Sequence, residues 1–196
     1  MLKERPFSAY GILFKSYFVR DVENNERGYK GAVIYADGSV YVGHFDQGKP
    51  HGKGRKVFYH LDTYEGDFCD GEANGYGRYK HPEGGYYEGH WKNNKQEGLG
   101  TERWSDGQLY TGEYFNGLKH GKGIYKWPDG ATYDGEFVNG RQEGNGRYIW
   151  PNGKKYEGSW KDGLENGHGA IWNVDGSRFE GEFVKGLKNG QGAIYM

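Results

Sequence analysis

Residues 110–130 read YTGEYFNGLKHGKGIYKWPDG, and the same skeleton of aromatic and glycine residues recurs along the chain every 23 residues. Each copy opens on an aromatic residue that is followed two positions later by a glycine. The seven opening residues are Tyr41, Tyr64, Tyr87, Tyr110, Tyr133, Tyr156 and Phe179. A fixed period in this range is typical of repeat arrays, so the fold can be predicted from one unit.

Within the unit, aromatic or glycine residues alternate with polar ones. One alternating run covers residues 110–114 and a second covers 121–127. A period of two is typical of β-strands. A polar stretch around Gly117 separates the runs, and the Pro-Asp-Gly sequence at 128–130 ends the second, as turns do. Each unit is therefore predicted to be one β-hairpin.

A lone hairpin is marginally stable in water, so the copies are expected to pair strand after strand. The sequence predicts an all-β fold, an elongated single-layer antiparallel β-sheet solenoid made of tandem 23-residue hairpins. The composition agrees, since 37 glycines, 17% aromatic residues and a mean hydropathy of -1.02 leave few aliphatic residues for a deep core. We expect aromatic rings to pack over glycines on the next strand, where the missing Cβ leaves room.

The chain divides into three predicted regions. Seven repeats cover residues 41–196, starting at the seven opening aromatics, with the last one truncated. Residues 18–40 are predicted to be a degenerate capping repeat, because Arg20 replaces the first glycine. Residues 1–17 are a non-repeat segment, predicted to fold over the first unit or to dock another protein. The second strand of the last unit stops at Met196, and a second copy or a partner strand is predicted to cover that edge.

The pattern Tyr-x-Gly-x-aromatic followed by Gly-x-x-His-Gly-x-Gly, clearest in residues 41–54 and 110–123, resembles the membrane occupation and recognition nexus (MORN) repeat. The resemblance implies an adaptor or scaffold, of the kind found in axonemes, other cytoskeletal assemblies and membrane-contact structures. It also implies that an aromatic-lined face binds an extended or helical segment of a partner protein. We therefore expect a non-catalytic, cytoplasmic scaffold of a cilium or another cytoskeletal assembly.

A repeated row of rings is predicted to line the groove that binds this partner, because exposed aromatic residues dominate the energetic centres of interfaces. The alternative is that the rings only pack on their own glycines. The predicted groove residues are Tyr64, Tyr87, Trp91, Tyr110, Tyr114, Trp127, Tyr133, Trp150, Tyr156 and Trp160.

The opposite face is predicted to carry a ladder of cross-strand charges. Nine of the fourteen residues that flank the first-strand glycines are acidic, among them Glu65 and Asp67, and none of the fourteen is Lys or Arg. The matching second-strand positions include Lys53, Arg55 and Arg147. Opposite charges on neighbouring strands contribute a few tenths of a kcal/mol each and help to fix the register. This face is interpreted as a solvated surface.

Several other functions are not expected. The spacing supports no catalytic arrangement, no cofactor site and no metal site, and the Gly-Lys-Gly sequences lack the Ser or Thr of a phosphate loop. A net charge of -1 argues against nucleic acid as a partner.

A tether to anionic membranes, or a regulatory role in a lipid-kinase module, is the alternative function. One cysteine and no apolar run of membrane-spanning length make the cytoplasm the default location.

Overall fold

The computed structural model describes residues 3–4, 17–20 and 28–196, with side chains for residues 28–196. The prediction for residues 1–17 therefore lies almost wholly outside the described residues. All regular elements of the described residues are β-strands, and consecutive strands pair antiparallel within each of two compact units, residues 1–95 and 96–196.

The first unit contains the strands that precede the first full repeat and the first hairpins of the array. Strand β2 pairs with β3, and β3 with β4, so a hairpin precedes the first full repeat. Whether it acts as a cap stays a prediction. The strands are β1 (Lys3–Glu4), β2 (Tyr17–Arg20), β3 (Tyr29–Ile34), β4 (Val40–Asp46), β5 (Lys49–Val57), β6 (Thr63–Cys69), β7 (Glu72–Lys80) and β8 (Tyr86–Lys92).

The second unit repeats the same alternation of a seven-residue first strand and a nine-residue second strand. Its strands are β9 (Lys95–Arg103), β10 (Leu109–Phe115), β11 (Leu118–Lys126), β12 (Thr132–Val138), β13 (Arg141–Ile149), β14 (Lys155–Lys161), β15 (Leu164–Trp172), β16 (Arg178–Val184) and β17 (Leu187–Tyr195). The prediction of an all-β array of tandem 23-residue hairpins is confirmed.

The turn inside each hairpin has both central residues at positive φ, as at Asn116 (φ 52) and Gly117 (φ 85). This is the geometry of a type I′ turn, whose twist matches that of paired strands. The N–H of Gly117 donates to the carbonyl of Gln96 at 2.9 Å, so the hairpin tip is tied to the preceding hairpin. Between hairpins, Asp129 accepts the N–H of Ala131 at 2.9 Å. The predicted turns are thus present.

Six hairpins also contain a β-bulge that the sequence pattern did not reveal, namely β4–β5, β6–β7, β10–β11, β12–β13, β14–β15 and β16–β17. In the pair β10–β11 the register shifts between Gly112 and Glu113, and Gly121 on the facing strand has a φ of 59. The extra residue leaves a backbone N–H to be satisfied. The carboxylate of Glu113 accepts it from Lys122 at 3.0 Å. The first glycine of the Gly-x-Gly motif therefore lies in the bulge. The second glycine is the point at which the backbones of the two strands and the tyrosine ring approach one another closely.

The core is a layer of rings on one face of the sheet. Gly112 and Gly123 face each other across β10–β11, and a Cβ added to Gly123 would lie 2.4 Å from the hydroxyl of Tyr110. Neighbouring rings meet that tyrosine edge-on, with centroids at 5.3 Å for Tyr114 and 5.2 Å for Phe137. The same contacts recur in the repeats that open on Tyr41, Tyr64, Tyr133 and Tyr156, so the predicted packing of rings over glycines is confirmed.

Candidate functional site

Most of the predicted groove residues belong to the buried core. Eight of the ten rings have at most 8% of their surface exposed: Tyr64, Tyr87, Trp91, Tyr110, Tyr114, Tyr133, Tyr156 and Trp160. The prediction that they line an open groove is wrong, because each ring is covered by its glycines and by edge-on rings of neighbouring strands. Trp127 and Trp150 are half-exposed.

Those two tryptophans are part of a continuous row of half-exposed rings in the second unit. We name this row the ring strip, and it consists of Trp104, Tyr125, Trp127, Tyr148 and Trp150. Successive ring centroids along it are 5.7, 4.5, 5.3 and 4.8 Å apart. The strip lies on the same face as the core, beside its buried rings.

A small cavity of about 360 Å³ opens beside the strip and is lined in part by Tyr125, Trp127 and Phe137. Lys119 lies next to it, with its ammonium 4.5 Å from the ring centroid of Trp104. Burial lowers the pKa of Lys119, while the carboxylate of Glu102 at 3.7 Å acts in the opposite direction. The strip therefore combines aromatic surface with one partly buried cation.

Sequence reasoning missed three members of the strip, Trp104, Tyr125 and Tyr148. The first-strand positions repeat most regularly, but their rings lie directly on the glycine pairs and are buried. The second-strand rings lie beyond the glycine pairs and keep one side open. The alternation from Gly123 through Tyr125 to Trp127 was the signal that could have identified them.

The opposite face of each unit carries an open groove. In the first unit the groove has a volume of about 910 Å³ and crosses β3 to β8. In the second unit the groove has a volume of about 830 Å³ and crosses β11 to β16. Both are floored by rows of paired glycines and walled by the charged residues that flank them.

The predicted charge ladder is present on this face. The ammonium of Lys53 lies 2.8 Å from Asp67, and the guanidinium of Arg147 lies 3.7 Å from Asp134. The carboxylate of Asp67 also accepts the bulge N–H of Tyr76 at 3.0 Å. Burial would raise the pKa of Asp67, but the hydrogen bonds from Lys53 and Tyr76 hold it below its usual range.

The family follows from the sequence of the repeats themselves. The model of the MORN repeat matches seven consecutive segments, residues 41–59, 64–86, 87–109, 110–132, 133–155, 156–178 and 179–194. This chain belongs to the MORN-repeat family. A search of curated proteins found no significant match.

Solved structures with a similar fold share little sequence with this MORN array. The TCP domain of SAS-4 (dCPAP) from Drosophila melanogaster, solved in complex with a proline-rich motif of Ana2 (dSTIL), has a TM-score of 0.51 and 13% identity. The alignment covers 100% of this chain and 97% of that one. The G-box domain of the microcephaly protein CPAP has a TM-score of 0.46 and 13% identity, over 92% of this chain and 98% of that one. At 13% identity the likeness to the SAS-4 domain shows the fold alone.

Two other features are absent from the part of the MORN array that the structure describes. Within residues 28–196, no three His, Cys, Asp or Glu side chains are arranged to hold a metal ion. In the described part of the chain, no helix has the length and apolar character needed to cross a membrane. The two surfaces with distinctive geometry are the ring strip and the pair of glycine-floored grooves.

Proposed function

We propose that this MORN array is a non-catalytic scaffold that binds an extended, proline-rich segment of a partner protein along the ring strip. The observation that carries the proposal is the unbroken row of five half-exposed rings between Trp104 and Trp150. Proline-rich segments are already extended before they bind, and they dock in grooves lined by aromatic rings.

The hydrogen-bonding state of the tryptophans supports this role. The buried indoles of Trp91 and Trp160 donate to backbone carbonyls at 3.0 Å. The indole N–H groups of Trp127 and Trp150 have no acceptor among residues 28–196. An extended segment without internal hydrogen bonds presents carbonyls that these indoles can reach. The ring strip thus offers apolar contact and polar recognition together.

The Drosophila structure supports the class of partner, since a domain with this fold is held there in complex with a proline-rich motif. We extend the proposal to a cytoplasmic location within a ciliary or other cytoskeletal assembly, which the MORN resemblance implies. In such an assembly the scaffold would position its partner without acting on it chemically.

Binding of a labelled oligoproline peptide, followed by fluorescence anisotropy, tests the proposal. Replacing both Trp127 and Trp150 with Ala removes two rings that are each expected to contribute about 2 kcal/mol, so affinity should fall by about three orders of magnitude. Because both side chains are half-exposed, the thermal midpoint should change little.

Trp172→Ala is the matched control, because Trp172 is also half-exposed but lines the groove on the other face. It should leave oligoproline binding unchanged. Equal loss in the control and the double variant, or wild-type affinity in the double variant, would show that the ring strip is not the binding surface.

A further inference from the structure

We propose that the glycine-floored groove of the first unit is a second binding surface, which takes up an acidic, extended segment of a protein. This groove lies on the opposite face of the sheet from the ring layer and in the other unit from the ring strip. The inference therefore does not depend on the proposed function.

The floor of the groove is bare backbone. Gly43 pairs with Gly54, Gly54 with Gly66, and Gly66 with Gly77, so the glycines form a row that crosses four strands. A Cβ on these residues would point toward the tyrosine hydroxyls of the ring layer. On the groove side they carry no side chain, which lets a ligand approach the backbone closely.

Charged side chains wall this floor on both sides. Five cations line the groove, namely Lys30, Lys53, Arg55, Arg78 and Lys80, against the two carboxylates of Glu65 and Glu88. Such an excess of one sign along a concave surface attracts a ligand of the other sign.

Three of the five cations are available to a ligand. Lys53 is paired with Asp67 and Arg78 lies 3.9 Å from Glu88. The side chains of Lys30, Arg55 and Lys80 are exposed and have no ion-pair partner within residues 28–196. Three unpaired cations against Glu65 leave a net positive groove, even though the whole chain has a net charge of -1.

The corresponding groove of the second unit has the opposite balance. It is lined by four carboxylates against three cations, of which Arg147 and Arg178 are paired with Asp134 and Glu180. The floor of this second groove is an equivalent row of glycines, so the two grooves differ only in the side chains of their walls. Only the first groove is expected to favour an acidic ligand.

The shape favours a chain over a membrane surface. The cations stand along a trough of about 910 Å³ rather than on a raised patch, so a single extended backbone can enter between them. A flat layer of lipid headgroups would meet the rims of the groove first. Carboxylate side chains on an extended peptide can reach the walls on both sides.

A labelled oligoglutamate peptide is the probe, measured by fluorescence anisotropy at low and moderate salt, with vesicles containing phosphatidylserine as a separate arm. The test variant combines Arg55→Ala with Lys80→Ala. Loss of two charge-assisted contacts is expected to weaken binding at least about tenfold. Because both side chains are exposed and unpaired, their loss should leave the thermal midpoint of unfolding unchanged. Measuring that midpoint therefore checks that the variant is folded.

Arg147→Ala is the matched control, because Arg147 stands at the equivalent position four repeats later in the second unit. Salt-sensitive oligoglutamate binding that is weakened by the double variant and unaffected by the control would support the inference. Absence of binding at low salt, equal weakening by the control, or binding to the vesicles but not to the peptide would overturn it. The variant lacking Trp127 and Trp150 should still bind oligoglutamate, which separates this surface from the ring strip.

Discussion

The leading tyrosine of each of the first six repeats connects packing with hydrogen bonding. The ring of Tyr110 is fully buried over Gly112 and Gly123, and its hydroxyl donates to the carbonyl of Glu113 at 2.9 Å. Tyr41 and Tyr133 make the same bond to the third residue after them. A buried hydroxyl that finds a partner avoids the cost of desolvation. The glycine two positions later is required because the ring occupies the place of its Cβ.

Gly112→Ala tests this requirement. The added Cβ would lie 2.5 Å from the Cα of Gly123 and 2.5 Å from the hydroxyl of Tyr110, so backbone and ring must both move. We expect a loss of about 3 kcal/mol in the free energy of unfolding, measured by denaturant titration. Thr111→Ala, on the opposite face of the same strand, should cost far less. Similar losses for both substitutions would argue against close packing over the glycine.

At the scale of the hairpin, the β-bulge gives the outer carboxylates a structural role. Glu113 and Glu136 each accept a backbone N–H from the bulged strand, from Lys122 at 3.0 Å and from Asn145 at 3.3 Å. The sequence pattern predicted cross-strand ion pairs for the acidic residues on this face. Their second use explains why acidic residues are frequent directly after the glycine of the first strand.

Glu113→Ala should therefore destabilise the protein by about 1.5 kcal/mol, since a charged acceptor is removed from a backbone donor. Glu157→Ala serves as the comparison, because Glu157 is exposed on the same face and has no hydrogen bond or ion pair within residues 28–196. Its replacement should change the free energy of unfolding by less than about 0.5 kcal/mol. Chemical denaturation of both variants measures the difference, and equal effects would exclude a role in the bulge.

For the molecule as a whole, the repeated tyrosines couple stability to alkaline pH. Burial raises the pKa of Tyr41, Tyr64, Tyr110 and Tyr133 well above the ordinary 10.0, and that of Tyr156 to about 12. The pKa of each tyrosine is higher in the folded state than in the unfolded state. Its contribution to the free energy of unfolding is therefore fully present below about pH 10. It is lost as the pH rises toward the folded pKa.

The free energy of unfolding should thus fall steeply above about pH 10, with the tyrosinate absorbance of these residues appearing together with unfolding. Tyr133→Phe should make this fall with pH less steep, because it removes one tyrosine whose ionisation is coupled to unfolding. Denaturant titrations across this pH range give the slope. Ionisation of the buried tyrosines while the sheet stays intact would contradict the linkage.

The two candidate surfaces differ in unit, face and chemistry. The ring strip of the second unit suits an extended apolar segment, and the groove of the first unit suits an acidic one. A chain that offered both would hold two partner segments on one framework. This matches the extended binding surfaces that repeat proteins present.

The amino-acid sequence by itself determined the repeat, the hairpins, the turns and the separation of rings from charges. These features depend on a strict period of two and on Gly-bearing turns, as at Asn116 and Gly117, which are local properties of the chain. Even the contact between Tyr110 and Gly112 follows from residues two positions apart.

Only the tertiary structure decided which rings are exposed and which charges are free. Tyr110 and Tyr125 look alike in sequence, but the first lies on a glycine pair under the edges of neighbouring rings and the second lies beyond that pair. Likewise, Arg55 and Arg147 occupy equivalent repeat positions, and only Arg147 lies within reach of a carboxylate. Exposure and pairing depend on side chains from neighbouring strands, and a repeat pattern does not contain that information.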